Sequence, residues 1–441
     1  MLRVLMGVLM GWLFETTGAA EIVTVGNVSS KEMSVAGKVL CGYQGWYRTP
    51  GDGSGSDWVH YVRATGHAFE PGTCGIDYWP DVTELDPDER IPTVFKHADG
   101  HPAQVYSSHN RKTVLRHFKW MREYGIDGVF VQRFMTDVTP VHPLWKTLRV
   151  SNNNILDWCR EAAAQNGRVY SVMYDLTGMP RKNGVEYLKK DWKDLVDSGK
   201  VLVKGGDAAW LRHKGRPVIG LWGVGFRNDA MNVARHYGLD ECAQLINFFK
   251  NDPQYGGCAV LIGVPGYWRT LDRDSIADPR LHQVMRLADI IQPWSIGRFN
   301  SIEGGRNFAA TVWKGDLEWC RQNGLDYLPV TFPGFSWQNL KKTTAHEIPR
   351  LGGRFLWAQY AELRKLGLDS AYQAMFDEMD EGTQIFKIDN NPPVGAITFK
   401  TYEGLPPDHY LWLVGQAGRL LRGEIPLSDG FPVRTVEQGA K

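Results

Sequence analysis

The chain has 441 residues, and its 50 basic and 49 acidic residues leave a formal net charge of +1 at pH 7. This balance argues against a nucleic-acid partner or a charged membrane surface, because binding to either requires a basic face. The unusual feature of the composition is its 17 Trp and 17 Tyr residues. Aromatic rings commonly form platforms for the apolar faces of sugars, although large cores also use them.

The N-terminus predicts a cleavable signal peptide over residues 1–20. Arg3 precedes an apolar stretch that runs to Phe14, and small residues lead to a plausible cleavage site after Ala20. The apolar stretch is too short to span a bilayer, and no later stretch is long and apolar enough to do so. We therefore expect a secreted or periplasmic protein without membrane insertion.

Eight short runs of apolar or β-branched residues, each bounded by turn residues, predict β-strands. They lie at 39–43, 128–133, 169–174, 217–222, 259–264, 289–293, 327–332 and 372–376. Helical patterns lie between them at 111–124, 154–165, 186–198, 240–251, 278–287 and 315–323. The repeated order of strand and helix predicts a parallel sheet closed into a (β/α)8 barrel, known as a TIM barrel. We expect one catalytic domain over residues 21–430 and a C-terminal tail over 431–441.

Two segments depart from a minimal barrel. Residues 49–104 are rich in Gly, Asp, Pro and Trp with little periodicity, and residues 201–214 suggest a small hairpin before the fourth strand. Both follow barrel strands, so we expect both to shape the face where barrels carry their active sites. A last helix is predicted after Asp408 as its N-cap, and Gly423 ends it.

The six cysteines show no spacing typical of a zinc site, and we predict neither a metal centre nor a cofactor. In an exported protein, Cys41 could pair with Cys74 and Cys242 with Cys258. Buried free thiols are the slightly favoured alternative.

Four carboxylates follow the last predicted strand within five residues. They are Asp377, Glu378, Asp380 and Glu381. Side chains alternate along a strand, so Glu378 and Glu381 can converge only if the chain bends after Phe376, and Gly382 permits such a bend. Like charges held close together raise at least one pKa, which keeps a carboxyl group protonated for general acid catalysis. Two such groups suit glycosidic cleavage.

Three segments resemble a known family. Glu-x-x-Glu-Gly-Thr after the last strand is similar to the catalytic signature of glycoside hydrolase family 99, the endo-α-mannosidases, and of the broader 71/99-like group. The segment "GYQGWYRTPGDGSGSDW" (42–58) resembles that group's aromatic first-strand loop, and "NPPVGAITFKTYEGLPPDHYLWLVGQAGRLLRGE" (391–424) resembles the end of its bacterial members. The similarity extends over most of the chain after residue 20.

The resemblance implies a division of roles between the two glutamates. Glu378 would act as a base on the substrate's own 2-hydroxyl, which displaces the leaving group, and Glu381 would protonate the departing oxygen, with retention of anomeric configuration. The residues between them, Met379 and Asp380, differ from the aromatic and amide residues of the mannosidases, which leaves the sugar open. The alternatives are a family 71-type α-1,3-glucanase and a non-catalytic carbohydrate-binding barrel.

Further residues at predicted strand ends are expected to bind an oligo- or polysaccharide. They are Tyr43, Trp46, Tyr47, Gln132, Arg133, Tyr174, Asp175, Trp222, Trp294 and Trp337. For the tryptophans, packing at the rim of the barrel is an equally good interpretation. Arg133 and Asp175 could instead pair with each other across the mouth of the barrel. The sequence leaves endo or exo action and the oligomeric state open.

Overall fold

A computed structural model describes residues 34–202, 205–228, 235–427 and 430–434. The signal peptide predicted over residues 1–20 lies outside these ranges, as does most of the predicted tail. No helix in the described ranges is long and apolar enough to cross a membrane.

Fourteen strands and ten α-helices are found in the described part of the chain. The strands are β1 (Val39–Tyr43), β2 (Ile91–Lys96), β3 (Pro102–Val105), β4 (Gly128–Phe134), β5 (Val169–Asp175), β6 (Arg212–His213), β7 (Arg216–Trp222), β8 (Ala259–Val264), β9 (Ile290–Pro293), β10 (Asp326–Tyr327), β11 (Val330–Thr331), β12 (Phe335–Trp337), β13 (Thr343–Ile348) and β14 (Ala371–Gln373). The α-helices are α1 (Arg111–Tyr124), α2 (Met135–Val138), α3 (Trp145–Asn166), α4 (Gly184–Asp197), α5 (Leu239–Asn251), α6 (Arg280–Met285), α7 (Ile302–Phe308), α8 (Lys314–Gln322), α9 (Arg354–Lys365) and α10 (His409–Leu421).

The parallel strands form a ring. β1, β4, β5, β7, β8 and β9 pair in that order, and β14 pairs with β1 on the other side. The gap between β9 and β14 is closed by β10 and β11, because β10 pairs with β9 and β11 pairs with β14. The predicted (β/α)8 barrel is therefore confirmed, and its eight strands lie where the sequence patterns place them.

The seventh barrel strand is interrupted, whereas the sequence predicts one run over residues 327–332. Leu328 and Pro329 separate β10 from β11. Proline has no N–H to donate to a neighbouring strand, so it breaks the ladder of hydrogen bonds. The backbone still bridges both neighbours, since the Leu328 N–H donates to Ile291 and the Pro329 carbonyl accepts from Tyr372, each at 2.9 Å.

Most local predictions agree with the structure within a few residues. Gly125 and Gly167 end α1 and α3 in the left-handed conformation, and Asp408 is the N-cap of α10. The predicted small hairpin forms slightly later than expected, with β6 pairing antiparallel to the start of β7. All six cysteines are buried and free, so neither suggested disulfide is present.

The segment 49–104 is more ordered than its sequence suggests. Its β2 and β3 strands form an antiparallel hairpin, and an aromatic cluster fixes it to the barrel, with the Phe69 and Phe95 rings 4.8 Å apart and the Trp79 and Phe399 rings 5.1 Å apart. Asp77 links the segment to the loop after β14, because its N–H donates to the Met379 carbonyl at 3.0 Å. This insertion therefore supports one wall of the barrel mouth.

Candidate active site

A cavity of about 620 Å³ opens at the carboxyl ends of the barrel strands. Its wall includes both predicted catalytic glutamates, and one side is formed by the antiparallel hairpin of β12 and β13. Parallel barrels carry their active sites at this end, because the loops after the strands converge there. The volume lies in the range typical of small-molecule and oligosaccharide sites.

The loop after β14 carries the carboxylates and closes on itself. Its ends are joined by backbone hydrogen bonds from Met375 to Thr383 at 3.0 Å and from Ile385 to Phe376 at 3.2 Å. The peptide between Ala374 and Met375 is cis, and the chain also bends at Phe376 and Asp377, where the sequence predicts a bend. The predicted bend at Gly382 is present, with a φ of +63° that favours glycine.

Asp377 fixes this loop to the loop after β1. Its two carboxylate oxygens accept hydrogen bonds from the backbone N–H groups of Gln44 and Gly45, each at 2.8 Å. The side chain is fully buried, and burial raises its pKa to about 7. Asp377 therefore orders the first-strand loop against the catalytic loop.

Glu378 is almost completely buried, at 5% exposure. Its Oε1 accepts a hydrogen bond from the Gln44 amide at 2.7 Å, and its Oε2 accepts one from the Thr383 hydroxyl at 2.5 Å. Burial, followed by the charges of Glu381 and Asp380, raises its pKa well above the ordinary value. The two donors act in the opposite direction, because they stabilise the ionised form.

Glu381 is held more loosely than Glu378. Its Oε1 lies 3.4 Å from the Trp337 indole nitrogen, and its backbone carbonyl accepts from the Ser336 N–H at 2.9 Å. Burial and the charge of Asp380 raise its pKa to about 7. A carboxyl group with this pKa is partly protonated near neutrality, which a general acid requires.

The two glutamates form an electrostatically coupled pair in the wall of one cavity. The charge on Glu381 contributes to the raised pKa of Glu378. Like charges in a buried site cannot both ionise easily, so the pair retains a proton into the neutral range. One group can then donate a proton while the other accepts one.

Two tryptophans form an aromatic corner in the cavity wall. The Trp222 and Trp294 rings meet edge to face at a centroid distance of 5.3 Å. The Trp222 ring fits because its neighbour in β8 is Gly263, where a Cβ would lie 2.3 Å from the indole. The Trp222 indole N–H is buried and has no acceptor among the described residues.

Trp46 lies in the cavity wall but does not offer a free ring face. Its indole is stacked on His60 at 3.6 Å on one side and packs against Phe134 at 5.3 Å on the other. A sugar ring can therefore reach only its edge.

The structure brings eight of the twelve predicted site residues into the cavity wall. They are Trp46, Gln132, Asp175, Trp222, Trp294, Trp337, Glu378 and Glu381. Tyr43, Tyr47, Arg133 and Tyr174 do not line it. Tyr43 is buried behind the wall with its hydroxyl 2.9 Å from His117 Nδ1, and the Tyr47 hydroxyl donates to Asp380 at 2.9 Å.

Arg133 and Tyr174 instead form a buried cluster with Asp191 of α4. Arg133 donates to Asp191 at 2.6 Å, and the Tyr174 hydroxyl donates to it at 2.7 Å. The suggested pairing of Arg133 with Asp175 is therefore wrong. Neighbouring residues of a strand point to opposite faces, so Gln132 and Asp175 face the cavity whereas Arg133 and Tyr174 face the helices.

Sequence reasoning missed several residues of the cavity. Gln44 and Thr383 hold Glu378, and Tyr372 and Met375 line the cavity beside it. Arg298 and His346 contribute from later loops. Gln44 lies in the segment 42–58, and Thr383 lies in the Glu-x-x-Glu-Gly-Thr motif. The signal that could have identified them is that an amide and a hydroxyl can each donate a hydrogen bond to a carboxylate. The described ranges contain no group of three His, Cys, Asp or Glu side chains that could hold a metal ion.

Comparisons with known proteins agree with this architecture. No protein-family model and no curated protein sequence matches the chain. Among solved structures, the chain is similar to the GH99 endo-alpha-mannosidase from Bacteroides thetaiotaomicron, with a TM-score of 0.60, 15% identity and coverage of 88% of this chain and 98% of that chain. The same mannosidase in complex with BIS-TRIS propane gives a TM-score of 0.58 with the same identity and coverage. The resemblance seen in the sequence thus extends to the fold.

Proposed function

We propose that the chain is a glycoside hydrolase that cleaves an α-linked polysaccharide or glycan. The observation that carries the proposal is the coupled pair of Glu378 and Glu381 in the aromatic-lined cavity of the barrel mouth. Cleavage of a glycosidic bond requires one carboxyl group to protonate the leaving oxygen and another to act as base or nucleophile. The similarity in fold to an endo-α-mannosidase, and the resemblance of the Glu-x-x-Glu-Gly-Thr motif to the signature of family 99, favour an α-mannan-like substrate.

We assign the acid role to Glu381 and the base role to Glu378. Glu381 has a single long hydrogen bond at its carboxylate and a pKa near neutrality, so it can hold a proton and release it. Glu378 accepts hydrogen bonds at both oxygens from neutral donors, which favour its ionised form. The pKa of Glu378 is itself raised by burial and by the charges of Glu381 and Asp380, so the base role is assigned from its two donors and from the resemblance of the motif, not from its pKa.

In the proposed reaction, Glu378 takes the proton of the substrate's 2-hydroxyl. The 2-oxygen then forms a bond to C1 while the bond from C1 to the leaving oxygen breaks, and Glu381 gives its proton to that oxygen. Water next opens the 1,2-anhydro sugar at C1, with Glu381 accepting the proton of the water and Glu378 returning a proton to the 2-oxygen. Two inversions at C1 give net retention.

Binding is proposed to rest on the aromatic corner and on Trp337. The rings of Trp222 and Trp294 offer apolar surface for sugar faces. The buried indole N–H of Trp222 can donate to a sugar hydroxyl, which would satisfy a polar group that has no acceptor among the described residues. Asp175, whose pKa burial raises to about 6, lies in the same wall and can accept from a hydroxyl.

We also propose that the protein is exported, on the basis of residues 1–20. Expression with the native N-terminus, followed by mass measurement of the mature protein, tests this. A protein that keeps residues 1–20 and remains in the cytoplasm would contradict it.

Product release from α-mannans, α-glucans and mixed plant or algal polysaccharides tests the function. The wild type should release sugars from one of these, whereas Glu381→Gln should not. Glu123→Gln, on the exposed side of α1, is the matched control and should behave like the wild type. Release from α-1,3-glucan alone would favour the family 71-type activity, and binding without release would favour a non-catalytic barrel.

The mechanism has its own tests. The anomeric configuration of the first product, read by proton NMR, should match that of the substrate. A 2-deoxy substrate should not be cleaved, because it lacks the proposed internal nucleophile. Cleavage of the 2-deoxy substrate at the normal rate would contradict the role of the 2-hydroxyl.

A further inference from the structure

Asp380 lies between the two glutamates in the chain and has a side chain that neither proposed role uses. It is buried at 3% exposure. Its Oδ1 accepts from the Tyr47 hydroxyl at 2.9 Å, and its Oδ2 lies 3.0 Å from His60 Nδ1. In the described part of the chain, His60 is the one basic side chain within 4.0 Å of this carboxylate.

His60 reaches Asp380 from the insertion at 49–104. Its side chain is 35% exposed, so solvent protons have access to it. The imidazole stacks on Trp46 at 3.6 Å, with the two planes 4° apart. Its backbone has a φ of +60°, in the left-handed region that residues other than Gly and Asn seldom occupy. The fold thus holds this imidazole firmly against the carboxylate.

Other titratable and charged groups lie around His60 and Asp380. Arg48, Asp137 and His142 line a second cavity of about 290 Å³ together with His60, and Tyr47, Asp377, Glu378 and Glu381 interact with Asp380. Arg48 is committed to the carbonyls of Gly45 and Tyr47 and to Asn152. Asp137 accepts from Asn152 at 3.0 Å. These bonds leave His60 as the direct partner of Asp380.

We propose that His60 and Asp380 form a positioning dyad that changes the charge beside Glu378 and Glu381 with pH. The dyad widens the pH range in which one glutamate is ionised and the other protonated. This inference rests on the proposed function, because it assigns a purpose to the neighbours of the catalytic pair. Neither dyad residue is required to touch the substrate.

The direction of the effect follows from the charges. The negative charge of Asp380 raises the pKa of both Glu378 and Glu381. A protonated imidazole in contact with Asp380 would offset its charge and favour ionised Glu378, whereas a neutral imidazole would leave that charge in place and favour protonated Glu381. The two states therefore extend the active range at both ends.

The test compares two variants by the pH dependence of kcat/KM. His60→Asn keeps an amide donor near Asp380 and suits the left-handed backbone, but it cannot become charged. We expect its acidic limb to move to higher pH by about one unit while the alkaline limb stays in place. Asp380→Asn should instead move the alkaline limb to lower pH by about one unit. His101→Asn, in an exposed ion pair with Asp99, is the control and should move neither limb.

A purely structural role would lower the rate at every pH without moving either limb, and this result would overturn the dyad. A second readout does not need turnover. Carbon-13 labels at the glutamate δ-carbons allow both pKa values to be titrated by NMR, with the signals identified through Glu378→Gln and Glu381→Gln. If the chain cleaves no glycoside but these pKa values shift as expected, the function fails and the dyad stands. If neither His60→Asn nor Asp380→Asn shifts the pKa of Glu378 or Glu381, the proposed dyad is overturned.

Discussion

The barrel carries two carboxylate centres, one behind its strands and one in the cavity at its mouth, and their surroundings differ in kind. Asp191 lies behind β4 and β5 and receives hydrogen bonds from Arg133, Arg149 and Tyr174. Glu378 and Glu381 lie in the cavity and receive hydrogen bonds only from neutral groups among the described residues. Asp191 and Glu378 are similarly buried, at 2% and 5% exposure, so their partners decide how they ionise.

The pKa values move in opposite directions as a result. Burial raises the pKa of Asp191, but the charge of Arg133 and the hydrogen bonds from its partners outweigh burial, and the net pKa lies below the ordinary value. At the glutamate pair, burial and nearby like charges act together, and both pKa values rise. The first arrangement holds a charge in place for stability. The second keeps a proton available for transfer, which is typical of an active site.

The largest expected effect is on turnover. Glu381→Gln and Glu378→Gln should each reduce kcat/KM by at least about a hundredfold, because proton transfer by a positioned group contributes this much or more. Both variants should keep the wild-type fold, since each removes one of two mutually repelling charges. Steady-state rates on a substrate that the wild type cleaves measure the loss of turnover. Circular dichroism of each variant measures whether the fold is kept. A Glu381→Gln variant that cleaves an ordinary glycoside at the wild-type rate would show that Glu381 is not the general acid.

A substitution at the other carboxylate centre, Asp191, should instead lower the stability of the fold. Asp191→Asn leaves the Arg133 guanidinium buried without a counter-charge, which should lower the free energy of unfolding by about 3 kcal/mol or more. Urea denaturation measures this change. Where the variant is folded, its pH profile for kcat/KM should keep the wild-type limbs. A large shift of those limbs would mean that Asp191 belongs to the active site.

The barrel was predictable because its signals are local. Strands β1 and β8 are short apolar runs with turn residues on both sides, and their predicted bounds agree with the structure. Helix ends marked by Gly125 and Gly167 were equally clear. The break at Pro329 was readable in principle, because proline cannot pair on both sides of a strand.

The site was only partly predictable because its contacts are not local. The glutamate pair lies within one motif, but Gln44 is 334 residues away from Glu378 and His60 is 320 residues away from Asp380. No spacing rule joins such positions. Naming both Gln132 and Arg133, or both Tyr174 and Asp175, overlooked the alternation of side chains along a strand. Only one residue of each pair could face the cavity.

The comparison also predicts how stability depends on pH. The folded pKa of Glu381 is about 7, above its ordinary value of 4.5, so the folded state binds the proton more tightly than the unfolded state. The contribution of Glu381 to the free energy of unfolding is therefore fully present below pH 4.5, and it is lost as the pH rises through about 7. Glu381 alone should make the protein less stable at pH 8 than at pH 5 by about 2 kcal/mol, and the raised pKa values of Asp377 and Asp175 add to this difference; urea denaturation at the two pH values measures it.

Glu381→Gln should reduce this difference because the amide does not titrate. Asp191 behaves in the opposite way: its folded pKa lies below the ordinary value of 3.8, so its contribution is lost only in more acidic solution. Asp191→Asn should consequently leave the difference between pH 5 and pH 8 unchanged. A wild-type protein that is equally stable at both pH values would show that the glutamates are not held protonated by the fold.

The smallest expected effects come from removing one neutral donor at each centre. Thr383→Val deletes a hydrogen bond that stabilises ionised Glu378, so the pKa of Glu378 should rise and the acidic limb of kcat/KM should move to higher pH by about half a unit to one unit. Tyr174→Phe deletes the corresponding donor to Asp191, but the two arginines remain. It should cost about 1 kcal/mol of stability and leave the pH profile unchanged. Asp191 lies outside the cavity, so Tyr174→Phe serves as the control for the loss of one buried hydroxyl hydrogen bond. An acidic limb that stays in place in Thr383→Val would show that this donor does not set the pKa of Glu378.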